Sequence, residues 1–327
     1  MNPSYMKKIF FLEILLVLVS CFITFSAAAQ EEPRDTVSVG IYVTSIHDID
    51  FKEKEYTISF WLWLKYKRRE FDFAQNLEIP QAKSIVKSFP TTDSSNGRIN
   101  MLMKLQCVMK DSWRITRFPF DRQKLRLSIE NSQFDTRSLV FIADTSGKHY
   151  GRFTINGWKI DSFNISVDKK LYETSFGDVS LNESKSEYST FKVNIGIERN
   201  GQGELFLKIF LGMYVSFLIS YVCFYIHADN IDARFGLSVG SLFAVIGNKY
   251  IIDSSLPDNS AISLVDNLHG LTLLFIFAGI VCTAFALKLV KKYSVEKATR
   301  FDMITAQVLM ITYILLNIYF ITQAYNN

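Results

Sequence analysis

The sequence predicts a β-sandwich followed by a bundle of four membrane helices. Three features carry that expectation. Short runs of alternating apolar and polar residues, separated by turn signals, fill residues 37–199. Uncharged apolar runs follow, each long enough to cross a hydrocarbon core of roughly 30 Å. The composition changes sharply after Arg199, which divides the mature chain into a sandwich over 30–200 and a helical domain over 201–327.

The chain of 327 residues opens on MNPSYMKKIFFLEILLVLVSCFITFSAAAQ. Lys7 and Lys8, an apolar run and the small residues Ala27, Ala28 and Ala29 read as a secretory signal peptide over 1–29. Glu13 interrupts a long run, so a signal anchor is the alternative; on either reading residues from 30 onward are exported. Cys21 leaves with the signal, while Cys223 and Cys282 lie in apolar segments. Cys107 remains alone in the exported part, which excludes a disulfide framework there. The formal charge is only +4, so no nucleic-acid partner is indicated. His47, His149, His227 and His269 are scattered, and no nucleophile elbow, zinc-protease helix or phosphate loop occurs. No enzyme, metal or cofactor is expected.

Within the exported part, Tyr56, Ile58, Phe60, Leu62 and Leu64 alternate with Thr57, Ser59, Trp61, Trp63 and Lys65. The same period runs through Ile99 to Cys107, Leu125 to Ile129 and Phe191 to Ile197, the mark of strands with one buried face. Asn96-Gly97, Ser146-Gly147 and Asn156-Gly157 punctuate the runs. Many short strands with turns between them point to a sandwich.

Beyond Arg199, Ile209 to Ile226, Gly270 to Leu287 and Met303 to the C-terminus carry no charge. With the stretch from Arg234 to Pro257 they give four crossings, near 204–226, 234–252, 264–289 and 302–324. Lys288, Lys291, Lys292, Lys297 and Arg300 mark the third connection as cytoplasmic, whereas residues 253–266 hold no Lys or Arg. That orientation leaves the sandwich and the C-terminus outside.

The second crossing, RFGLSVGSLFAVIGNKYIIDSSLP, is a poor lipid-facing helix, because its glycines, Ser and Asn residues and Lys249 are costly against lipid tails. At about 100° per residue, Gly236, Gly240, Phe243, Gly247 and Tyr250 share one stripe, and Ser238, Ser241, Asn248 and Ser255 gather opposite. Either stripe is a candidate for facing water. The first also reads as a packing face, since Gly236 and Gly240 form a small-xxx-small pair.

Phe118-Pro119-Phe120-Asp121, a turn between two strands of an exported sandwich ahead of four membrane helices, resembles the pentameric ligand-gated ion channel (Cys-loop receptor) superfamily. Arg199 in Glu198-Arg199-Asn200 falls at the basic residue that ends that family's last strand, and Leu256-Pro257 falls in its outer loop between helices two and three. The resemblance implies a homopentameric ring and a ligand- or proton-gated pore lined by the second helix. Counted back from Pro257, Gly236, Gly240, Phe243, Gly247 and Tyr250 take the pore face, with a Phe243 ring closing it by dewetting. Asp232 and Arg234 fall at the inner mouth, where the acid favours cations. Asp121, Arg199, Pro257 and an acid of the first hairpin, Asp48 or Asp50, are expected at the joint between the domains. Tyr172, Phe176 and Tyr188 flank a hairpin tip at 180–187 and are the expected walls of a site that holds an ammonium by cation–π attraction.

Departures from the family pattern are informative. The cysteines flanking this turn in animal receptors are replaced by Asp111 and Leu125, Gly212 stands where a proline is usual, and the 288–301 connection is short. These traits resemble the bacterial branch, which implies a multi-pass protein of the inner membrane with its sandwich in the periplasm. The partners implied are membrane lipid, further copies of the chain, inorganic ions, and a small-molecule agonist or protons. A Trp-x-Pro-Asp agonist loop is not evident between Arg68 and Asn100. The alternative function is a non-conducting, membrane-anchored periplasmic sensor of the same architecture, its bundle sealed by glycine packing.

Overall fold

The computed structural model describes residues 34–95, 97–178, 184–257 and 261–326. The signal peptide expected over 1–29 lies outside the described residues. Strand β1 (Asp35–Asp50) turns into β2 (Glu55–Tyr66), and the hairpin register sets Ile41 opposite Leu62 and Val39 opposite Leu64. A four-residue helix, α1 (Phe73–Asn76), and the short β3 (Leu77–Glu78) lead into β4 (Ala82–Ser95) and β5 (Arg98–Lys110). The remaining strands are β6 (Arg122–Asn131), β7 (Leu139–Ala143), β8 (Trp158–Tyr172) and β9 (Ser186–Arg199). They form one sheet in the order β4-β5-β2-β1-β7 and a second in the order β3-β6-β9-β8.

Alternation decides which side chains meet. The inward set of the first sheet, including Ile41, Phe60, Leu62, Met103 and Leu105, packs on Leu125, Leu127, Ile129, Val193 and Ile195 of the second, all buried in one cluster. Tyr56 belongs to this core, and its hydroxyl donates across the sandwich to the Arg126 carbonyl at 2.8 Å, so its polar end is satisfied. Burial pushes that phenol well above its ordinary pKa.

Four long helices follow: α2 (Gln202–Val222), α3 (Ile231–Asp253), α4 (Leu264–Lys292) and α5 (Val295–Asn326). Each is long and apolar enough to cross a membrane. The Asn230 side chain caps α3 by accepting from the Ala233 amide, and Ser263 with Asp266 forms a reciprocal capping box at the start of α4. Inside the bundle, where apolar burial cannot distinguish helix from lipid, small polar groups tie the helices. Thr272 and Tyr313 share a hydrogen bond at 2.8 Å, and Tyr214 donates to Asn317 at 3.1 Å. Leu207, Leu211, Phe277, Ile311 and Leu315 point outward instead.

The two domains touch through few atoms. The Leu264 amide, the first of α4, donates to the Thr116 carbonyl at 2.9 Å, and Phe120 stacks on Phe206 with the Tyr325 ring edge-on beside it. The turn at Phe118 to Asp121 therefore rests on the first and the last of the four long helices.

Candidate functional site

On α3 the two stripes separate cleanly. Phe243 and Tyr250 are 66% and 75% exposed on the protomer, and Gly236, Gly240 and Gly247 lie on the same open face. A Cβ added at any of these three glycines would meet nothing within 4 Å, so they pack against no other helix of the chain. Ser238, Ser241, Val245 and Ile252 are buried in the bundle. Ser241 returns its hydroxyl proton to the Leu237 carbonyl at 2.8 Å, which lets a polar residue sit inside at low cost. Asn248, on the same inner side, meets the His269 ring at 2.9 Å and donates to the Ile209 carbonyl at 3.4 Å, joining three helices.

At the inner end of α3, Asp232 is exposed in the first turn, but Arg234 is not where it was expected. Arg234 and Asp302 are each 1% exposed and pair at 2.6 Å, while the Arg234 Nε donates to the Ile226 carbonyl at 3.0 Å. The expectation that both residues stand at the ion path is corrected for Arg234. A buried guanidinium persists only when paired and hydrogen-bonded, and here it fastens the base of α3 to α5 and to the end of the preceding helix.

The joint between the domains is built on Arg199. Its Nε donates to Asp121 at 2.7 Å, and Asp121 is held from the other side by the Gln123 amide at 2.6 Å. The guanidinium also lies over three rings, Trp158 at 4.2 Å, Phe51 at 4.8 Å and Phe118 at 4.8 Å. Asp121, Arg199 and the Phe118 turn are thus brought together, and Pro257 is buried just beyond Leu256, itself part of the cavity wall beneath Arg199. The hairpin acids are not. Asp48 is exposed and bound to His47 at 2.7 Å, and Asp50 caps the hairpin turn by accepting from the Glu53 amide at 2.8 Å. The β1–β2 hairpin reaches Arg199 with the face of Phe51, so the expected acid is replaced by an aromatic.

The three expected ligand aromatics also converge. Tyr172, Phe176 and Tyr188 sit edge to face, with centroids 5.4 Å, 5.7 Å and 6.2 Å apart in the three pairs. Part of the adjoining hairpin tip, 179–183, lies outside the described residues. Glu130 is 2% exposed beneath them, accepting from Tyr172 and from Thr190 at 2.8 Å each, with no cation bound to it among the described residues. Burial first, then Asp135, Glu78, Asp178 and Glu130, raise the Tyr188 phenol above its ordinary range, which marks the box as electronegative. One face of Tyr172 already carries an ammonium, that of Lys170 at 4.9 Å.

No protein-family model matches the chain. It is 24% identical over 273 residues to a proton-gated ion channel of Gloeobacter violaceus, a match covering 77% of this chain and 72% of that protein. It is 23% identical over 192 residues to a glutamate-gated chloride channel of Drosophila melanogaster, covering 57% of this chain and 38% of that one. It is 20% identical over 269 residues to a gamma-aminobutyric acid receptor subunit alpha-2 of Mus musculus, covering 75% and 58%. A sandwich on four membrane-length helices and the similarity to these channels point the same way.

The chain is similar to members of the pentameric ligand-gated ion channel superfamily. Four helices able to cross a membrane, together with relatives that are ion channels rather than enzymes, make it a multi-pass membrane protein. Four of its site residues escaped the sequence. Glu130 falls on the outward phase of its strand, with Arg122, Lys124 and Arg126, so the alternation predicted an exposed acid and gave no sign of its burial. Asp302 stands just before the uncharged run from Met303, a position that by itself gives no sign of a buried partner. Phe51 and Trp158 carried no signal, because nothing in sequence places them against Arg199.

Proposed function

We propose that this chain is a homopentameric, cation-conducting channel of the inner membrane, with its sandwich in the periplasm, residues 1–29 removed as a signal peptide, and a pore lined by α3. The observation that carries the reading is the open face of α3. A helix with Phe243, Tyr250 and three glycines turned away from its own bundle needs a partner that is neither lipid nor its neighbours. Copies of itself around a water-filled axis meet that need, because a closed ring uses one head-to-tail contact repeatedly. Phe243 is then the throat, an apolar ring that shuts by dewetting. Asp232 is the free charge at the inner mouth, and with Arg234 withdrawn into its pair with Asp302 the ring there is anionic and selects cations.

The trigger is a small primary or quaternary ammonium held in the box of Tyr172, Phe176 and Tyr188 over Glu130. Rings supply cation–π attraction and the buried carboxylate supplies the opposing charge. The Gloeobacter relative is named for proton gating, and protons are the second trigger to test. A bound ligand acts by preferring one packing of the Arg199 joint, and shifts the equilibrium only by that difference in affinity. Purified protein in planar bilayers, recorded at single-channel resolution over a series of small amines and over pH, tests the reading. Amine-dependent cation currents are expected. Silence under all conditions, from protein that is pentameric by mass, would transfer the assignment to a non-conducting sensor.

A further inference from the structure

Polar contacts inside an apolar bundle constrain protonation, because each one needs a donor and an acceptor. His269 of α4 has no exposed surface, and both of its ring nitrogens face oxygen. Nδ1 lies 2.9 Å from the Val265 carbonyl, and Nε2 lies 2.9 Å from Asn248 Oδ1 on α3. A carbonyl cannot donate, so Nδ1 keeps its proton. Nε2 then has two states. With a second proton it donates to Asn248 Oδ1, and the Asn248 amide nitrogen donates to the Ile209 carbonyl of α2 at 3.4 Å. Without that proton Nε2 can only accept, and Asn248 must turn its amide nitrogen to the ring. The amide oxygen then opposes the Ile209 carbonyl, and the tie to α2 is lost. Gly212 of α2 makes room for this amide, since a Cβ there would stand 3.1 Å from Asn248 Nδ2.

Burial opposes an imidazolium, and the surroundings of the ring offset that cost. Lys249 and Asp253 of α3 and Asp266 of α4 act on it. Lys249 bridges the two carboxylates at 2.7 Å each, so one ammonium against two acids leaves a single negative charge beside the ring. From α2 the ring meets Phe210, with centroids 5.7 Å apart, and α5 reaches the same seam with Tyr313, whose hydroxyl is held by Thr272 at 2.8 Å. Asn248 is half-buried and borders the groove beneath Arg199, which gives water a route to the pair. We infer that protonation of His269 clasps the outer halves of α2, α3 and α4 together through Asn248, and that deprotonation releases α2. The clasp belongs to the bundle itself, and only its effect on current rests on the channel reading.

The test uses the full chain in phosphatidylcholine bilayers, with heavy-nitrogen histidine, followed by solid-state NMR over about pH 4 to 8, where imidazoles titrate. His269→Gln identifies the His269 signals by their loss. On acidification they should pass from a ring protonated at Nδ1 alone to one protonated at both nitrogens. Asn248→Leu removes the acceptor and should lower the midpoint by at least about one pH unit, the tenfold loss of proton affinity that one hydrogen bond to a charged group represents. Asn248→Asp places a carboxylate there and should raise the midpoint, a direction that a merely structural role for Asn248 does not give. With heavy nitrogen in asparagine side chains and heavy carbon in isoleucine carbonyls, the dipolar contact between Asn248 and Ile209 should be strong below the midpoint and weak above it. A ring that keeps one protonation state across the range, a midpoint that neither variant moves, or an Asn248–Ile209 contact that ignores pH would overturn the proposal. The titration and the contact are read on the native chain, so they decide the matter even if a variant fails to fold, and neither needs a current.

Discussion

Charge placement at single residues governs much of how this channel homologue stands and responds. Arg199 is surrounded by Asp121 and three rings, so removing it leaves a buried carboxylate unpaired, at a cost of about 3–5 kcal/mol. Arg199→Ala is therefore expected to lower thermal stability of the sandwich and to raise the agonist concentration for half-activation, read by thermal denaturation and by dose–response currents. Glu130→Gln keeps the shape of the aromatic box and removes its charge. Ammonium affinity should fall by about 10- to 100-fold, the equivalent of 1.5–3 kcal/mol for a hydrogen bond to a charged group, with no change in melting beyond a small shift. Asp144 offers a pH prediction in the sandwich. The Ser146 hydroxyl and the Trp63 indole hold its carboxyl down to about 2. A depressed carboxyl stabilises the fold above its ordinary value near 4, and that contribution is lost as pH falls toward 2. In Asp144→Asn the loss of stability between pH 4 and pH 2 should accordingly be shallower than in the native chain, a difference acid titration monitored by tryptophan fluorescence would show.

Helices and strands were legible to the extent that one period ruled each of them. The alternation in β2 and β5 names the same inward residues that the core contains, because a sheet packed on one side has only one way to face. The four apolar runs were equally plain. The facing of α3 was not, since two stripes of suitable width competed and only the neighbours of the helix resolve which one is covered. Ser238 and Ser241 went inside because a helix carbonyl one turn back can absorb a hydroxyl, a local exchange that periodicity cannot weigh against glycine packing. The acids of the β1–β2 hairpin failed for a related reason: turn geometry consumed Asp50, and a ring took its place at the joint. At this scale Phe243→Ser should produce current without agonist, since a hydroxyl ring keeps the throat wet. Unchanged closed-state conductance in assembled protein would remove Phe243 from that role. Breaking the tie between α3 and α5 by Asp302→Leu alone should be severe, because it strands the Arg234 charge, whereas Arg234→Leu with Asp302→Leu together should recover much of the loss.

For the assembly as a whole, the decisive quantity is stoichiometry. Five copies should be found by native mass spectrometry, and Asp232→Asn should move the reversal potential away from that of the favoured cation in a salt gradient. One further property of the molecule bears on how such questions can be asked. Cys107 lies at the centre of the sandwich with no exposed surface, and burial pushes its thiol up to about 12. A thiol in that state reacts too slowly with alkylating probes to register at neutral pH. Single cysteines introduced at exposed positions of the sandwich can therefore be scanned with maleimides in the native background of that domain. With no bridge to reduce there, strong reductants can be kept in the buffer throughout without loosening the scaffold.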